Sequence, residues 1–226
     1  MKDTPSLLLP LEDRTLQFGP VRTASQLLEV QSLRYQQYQA RTPDVVPELL
    51  RDFEFDRRGF VFLLRDRSRP VATGRIIRVD SGVIALHHLA ALPQPILRDP
   101  KVCEISRLAA LAAGGTLLAF GTAMFGLGLG ASWALQHTPF ERYVAYCQVA
   151  FLKLYTKVKA HPCSEEFTLP NREERRFLLV EGRLEDAAEA CSTMLSRYHI
   201  EPLTEDPYIQ PPQRTPKQEM PCEIGF

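Results

Sequence analysis

Val102-Cys103-Glu104-Ile105-Ser106-Arg107-Leu108 is the stretch on which the reading of this chain turns. Read as a strand, it sends successive side chains to opposite faces, so Glu104 and Ser106 are expected together and Ile105 and Arg107 on the other side. Apolar residues flank the run at both ends, which predicts a central strand of a sheet. Charges held there need partners or a task.

Moving toward the C-terminus, residues 108–137 contain no Asp, Glu, Lys or Arg and hold six glycines, among them Gly114-Gly115 and the alternating Gly126, Gly128 and Gly130. A membrane span needs only ~20 apolar residues, so membrane association through 108–136 is one reading. Paired glycines break a soluble helix, and no second segment would join a span. A core helix over 116–135 is the better expectation. Beyond it, 142–147 reads as a strand, 149–158 as a helix and 175–181 as a strand. The stripe Leu184, Ala187, Ala188, Cys191, Leu195, Tyr198 marks an amphipathic helix. Six prolines fall between 201 and 226, so the organisation predicted is one domain over 1–200 and a Pro-rich, poorly ordered tail over 201–226.

Moving toward the N-terminus, 71–79 and 60–65 read as strands joined by Asp66-Arg-Ser-Arg-Pro70, a hairpin. Residues 83–89 suggest a third strand and 92–100 a loop. The prolines at 43 and 47 suggest a loop over 40–58, carrying the acidic-aromatic run Asp52-Phe-Glu54-Phe-Asp56. Thr23-Ala-Ser-Gln26 has the form of a capping box and opens a helix to about 39. On that helix Val30, Arg34 and Tyr38 share a face at spacings of four. A strand near 16–18 precedes it. Strands and helices alternate irregularly, which predicts an α/β sandwich.

Composition narrows the function classes. Lys+Arg and Asp+Glu balance at 27 each, so no global field points to nucleic acid. The five cysteines are scattered with no CxxC, which argues against a disulfide framework or structural zinc, and no metal is expected. His87-His88 on a strand would point to opposite faces, so the pair is not read as a metal site. Cys147 has no His or Asp set beside it and is read as core. No secretory signal is visible, so the expected compartment is the cytoplasm.

Glu104-Ile105-Ser106-Arg107 resembles the Glu-x-Ser-Arg signature of bacterial acyl-homoserine-lactone synthases and the related long-chain N-acyl amino acid synthases. Arg34 with Tyr38 resembles that family's Arg-xxx-Phe on the first helix, Phe55-Asp56 its Asp-x-Phe-Asp loop, and Gly74-Arg75-Ile76 its Gly/Ala-Arg-Leu strand. The first aspartate of the loop motif is shifted here, with Asp52 four residues before Asp56 and Glu54 between them. The resemblance covers about residues 20–110. It implies a GNAT-like fold, a twisted mixed sheet flanked by helices that splays to admit a phosphopantetheine arm. It implies direct acyl transfer from an acyl carrier protein or coenzyme A thioester to a small-molecule amine, with no permanently bound cofactor. N-acylation of an amino acid is the leading expectation. Acyl-homoserine-lactone synthesis is the close alternative, and a non-catalytic lipid-binding or membrane-associated member of the fold is the distant one.

On that basis Glu104 is the candidate proton acceptor, helped by Ser106, with an oxyanion held by backbone N–H groups at a strand bulge. Arg107 is counted with Glu104 and Ser106 as catalytic. Arg34, Arg75 and Arg107 are expected to pair with Asp52, Glu54 and Asp56 to hold the substrate loop over the sheet, with Arg34, Tyr38, Asp52, Glu54, Asp56 and Arg75 as the substrate-binding set. An arginine left free could clamp a substrate carboxylate. Phe125-Gly-Leu-Gly-Leu-Gly130 has the glycine spacing of a pyrophosphate turn without its polar first residue, and is read as helix packing.

Overall fold

The computed structural model describes residues 15–66, 68–79, 94–111, 116–169, 172–195 and 199–203; for 15, 94, 116–123, 125 and 193–195 it describes the backbone alone. The third strand expected at 83–89, with His87-His88, lies outside the described residues, as does the tail from 204 onward.

The chain enters through β1 (Thr15–Pro20) and turns into α1 (Ala24–Arg41) at a complete capping box. Thr23 Oγ1 accepts from Gln26 N at 3.2 Å, and Gln26 Oε1 accepts from Thr23 N at 3.3 Å. The expected 40–58 loop is mostly helix instead. A single 3-10 turn over Pro43–Val45 leads into α2 (Val46–Asp56). The prolines misled because they stand in first turns, where the missing N–H costs nothing and the fixed φ favours the helix. The consequence is chemical: Glu48, Asp52 and Asp56, each four apart, fall on one face.

The hairpin follows as expected, with β2 (Phe60–Asp66) antiparallel to β3 (Arg69–Arg78). After the helical turn α3 (Gln94–Leu97) come β4 (Val102–Ala110), α4 (Thr116–His137), β5 (Arg142–Gln148) and the short α5 (Leu152–Lys157). The chain continues through β6 (His161–Pro162), β7 (Phe167–Leu169), β8 (Arg172–Arg183), α6 (Leu184–Leu195) and β9 (His199–Pro202). The Pro-rich segment therefore begins inside the sheet, since Thr15–Phe18 of β1 pair in parallel with His199–Pro202.

The strands form one mixed sheet in the order β6-β8-β5-β4-β3-β2-β1-β9, with β7 also on β8. β4 is central, as its apolar flanks predicted. Side chains on one of its faces, Cys103 and Ile105, join Phe62, Ile76, Leu127, Ala131 and Ala134 in the largest apolar cluster, beneath α4. The opposite face meets α1 and α2. α4 is thus a core helix, and none of the described helices is long and apolar enough to cross a membrane.

Glycine decides how closely α4 approaches α6. A Cβ on Gly128 would stand 2.3 Å from Cys191 Cβ and 2.5 Å from its Sγ. Gly128→Ala should therefore lower stability by about 1–3 kcal/mol through overpacking. Urea unfolding midpoints check this, and Cys191→Gly in the same chain should restore part of the loss.

Two irregularities of β4 shape what lies beside it. Its parallel ladder with β5 runs only from Val102 to Glu104, pairing with Arg142, Tyr143 and Val144. Past Glu104 both strands continue without a shared ladder, so a gap opens between them. On the other edge, the β3 ladder jumps from Arg75↔Ser106 to Thr73↔Ala109, leaving Arg107 and Leu108 opposite the single residue Gly74. This is a β-bulge, and Arg107 within it has φ 54°.

Candidate active site

The gap between β4 and β5 contains a cavity of about 230 Å³. Its walls are Ile105, Ser106 and Leu108 from β4, Cys147 from β5, Met124 from α4, Tyr155 from α5 and Phe177 from β8. Around the rim stand Tyr38 of α1, Thr42 just past its end, Arg107, and Arg172 and Arg175 at the start of β8. An apolar slot with a few polar groups at one end suits a small molecule carrying a long apolar part.

Behind the rim lies a buried set of charges that joins α1 and α2 to the sheet. Arg34 donates to Asp56 through Nη1 at 2.7 Å and lies 3.6 Å from Asp52. Arg75, fully buried, reaches Asp52 at 3.5 Å, Asp56 at 3.4 Å and Glu104 at 3.9 Å, and its Nε donates to Ser106 Oγ at 3.2 Å. Arg107 Nε donates to both oxygens of Asp52, at 2.9 and 2.8 Å. The series continues outward, for Arg107 lies 3.4 Å from Glu48, Arg172 pairs with Glu48 and Asp44, and Arg175 reaches Asp44 at 3.6 Å. Charges taken out of water survive only when compensated, and here each arginine faces carboxylates. Burial still wins at Arg75, whose pKa is lowered by desolvation although Asp52 and Glu104 oppose that.

Most of the residues singled out in the sequence meet here, with two corrections. Strict alternation would send Arg107 away from Glu104 and Ser106. The bulge breaks alternation, and with a left-handed backbone Arg107 swings to the same face, onto Asp52. A non-glycine residue in that region costs on the order of 1–3 kcal/mol, which the buried pair with Asp52 must offset. Glu54 does not join the network. Two residues from Asp52 and Asp56 on a helix, it faces outward, exposed, and pairs with Arg58 at 3.2 Å. Glu104 itself is fully buried and stands behind the cavity wall rather than on it. Arg34, Arg75 and Arg107, among which an arginine left free could have clamped a substrate carboxylate, each already face acids.

Asp44, Glu48 and Arg172 were not read from the sequence as site residues. Arg172 lies 124 positions from Glu48, and no local pattern announces that pairing. Glu48 could have been found, because it continues the four-residue spacing of Asp52 and Asp56 once the segment is read as a helix.

Cys147 lines the cavity, yet burial pushes its thiol up to about 11. Thiolate is the nucleophilic form, so at pH 8 only about one molecule in a thousand would carry it. Under the acyl transfer that the sequence resemblance implies, Cys147→Ser should retain most turnover, and intact-mass measurement should show no acyl adduct on the protein. Among the described residues no three His, Cys, Asp or Glu side chains converge as metal ligands.

No protein-family model matches the chain, and no curated protein matches it in sequence. Solved structures do match. FeeM, an N-acyl amino acid synthase from uncultured soil microbes, superposes with a TM-score of 0.61 at 10% identity, covering 81% of this chain and 99% of that one. BjaI, a CoA-dependent acyl-homoserine lactone synthase solved with MTA, gives 0.60 at 12% identity over 86% of this chain and 95% of its own. The acyl-homoserine-lactone synthase LasI gives 0.56 at 16% identity over 76% and 91%. At these identities the likeness establishes the fold: a GNAT-like mixed sheet flanked by helices, as expected from the sequence.

Proposed function

We propose that this chain moves a fatty acyl group from a thioester, on an acyl carrier protein or coenzyme A, to the amine of an amino acid or similar small molecule. The observation that carries this reading is the parting of β4 from β5 just past Glu104, beside a bulge, around an apolar cavity with a polar rim. The acyl chain lies between Leu108, Met124, Cys147 and Phe177, with the thioester carbonyl near Ser106 and Arg107. That one protein of this fold is described as CoA-dependent supports coenzyme A among the donors.

An α-amine has a pKa near ~8 and is largely protonated at neutral pH, so it must lose a proton to attack. Glu104 accepts that proton through Ser106 Oγ or a water, since its own carboxylate sits behind the wall. Attack of the amine forms the C–N bond and places the carbonyl electrons on oxygen. Backbone N–H groups of the bulge at Arg107 and Leu108 meet that oxyanion. Its collapse breaks the C–S bond, and the departing thiolate takes up a proton. Arg34, Arg75 and Asp52 hold β4, α1 and α2 in register around these groups.

The test is a product analysis. Purified protein is incubated with acyl carrier and coenzyme A thioesters of several lengths, and with free amino acids or S-adenosylmethionine. An N-acyl amino acid identified by mass supports the reading. An acyl-homoserine lactone from S-adenosylmethionine would move the assignment to lactone synthesis. Absence of any acylated amine and of released thiol would reject both.

A further inference from the structure

We propose that Leu108 is a movable partition that sets how long an acyl chain the cleft accepts. The inference rests on the acyl-transfer reading above. Leu108 and Ile105 line the 230 Å³ cavity between β4 and β5. The same two residues line a second cavity of about 10 Å³ on the α4 side of the sheet, bordered by Gly74, Gly126 and Gly130. One layer of side chains therefore separates the two spaces.

Of the two, Leu108 is the one able to move. Ile105 is β-branched and sits in the regular ladder opposite Ile76. Leu108 belongs to the bulge, outside that ladder, and its Cδ2 rests over the bare backbone of Gly74, where a Cβ would come within 2.9 Å of it. On the far side the room is left by absent side chains. A Cβ on Gly126 or Gly130 would find its nearest neighbours at 3.8 and 3.7 Å, ordinary contact distances. Across the main cavity, Tyr155 and Phe177 are large and buried. A chain tip that displaces Leu108 gains the glycine-lined space under α4; one that cannot stops there.

The experiment measures binding of S-acyl-pantetheine thioesters, from hexanoyl to palmitoyl, by calorimetry, with turnover followed alongside. Affinity should rise about fourfold per methylene until the cavity is full, then level off. In Leu108→Ala the break should move to chains about two to four methylenes longer, because the partition is removed. In Gly74→Ala it should move to shorter chains, because the new methyl drives Leu108 into the main cavity. Leu108→Val, a milder change, should shift the break in the same direction as Leu108→Ala and covers the case in which that variant unfolds. A break at the same length in all variants, or affinity without length dependence, overturns the inference. If the break shifts while no protein, wild type included, acylates any amine, the partition stands and the acyl-transfer reading falls.

Discussion

Glu104→Gln is expected to reduce turnover about 10²–10⁴-fold, the range that a positioned proton acceptor contributes. Glutamine keeps the shape and removes the charge, so packing around the residue should persist. Arg75 would still have Asp52 at 3.5 Å and Asp56 at 3.4 Å, and is not left as an isolated buried cation. The urea midpoint should therefore change far less than the rate. The pH profile separates proton acceptance from mere support of Arg75. Raising the pH should partly rescue the variant, because the free-amine fraction of the substrate then grows without help from a protein base, whereas a purely positional loss would lower the whole profile and keep its shape. Unchanged turnover would remove Glu104 from the mechanism.

The largest effect on stability is expected at Asp52. Its two oxygens serve Arg107 at 2.8 and 2.9 Å and the fully buried Arg75 and Arg34 at 3.5 and 3.6 Å. Asp52→Asn leaves three guanidinium groups sharing fewer charges, and removing one partner from such an arrangement costs roughly 3–5 kcal/mol. The bulge should suffer as well, because the contact that holds Arg107 in its left-handed conformation is weakened. Urea unfolding measures the loss. Glu54→Gln, two residues away on the exposed face, provides the contrast and should change stability by no more than about 0.5 kcal/mol. Equal losses in both variants would mean that the buried network does not govern stability.

How much was visible in the sequence follows from how local each feature is. The central strand was legible because an apolar run around Glu104 and Arg107 has few other homes. The hairpin over β2 and β3 and the first helix were legible from turn residues and a capping box. α2 was not, because proline was read as a breaker where it begins a helix. The facing of Arg107 was not, because a bulge arises from the fit between two strands and leaves no mark in a single one. The pairing of Arg172 with Asp44 and Glu48 joins the start of β8 to a helical segment far away in the chain, and only the tertiary fold brings them together. In the site itself, the residue types were readable, while the recession of Glu104 behind the cavity wall required the packing.

The sharing of acids among Arg34, Arg75, Arg107, Arg172 and Arg175 has one further consequence. Every carboxylate from Asp44 to Asp56 that enters the set touches at least one arginine, and Asp44, Glu48, Asp52 and Asp56 each touch two or more. Free-energy changes of substitutions here will not be additive, even for Arg34 and Arg172 at opposite ends of the set. A double-mutant cycle between those two arginines should return a nonzero coupling energy, although they have no carboxylate in common.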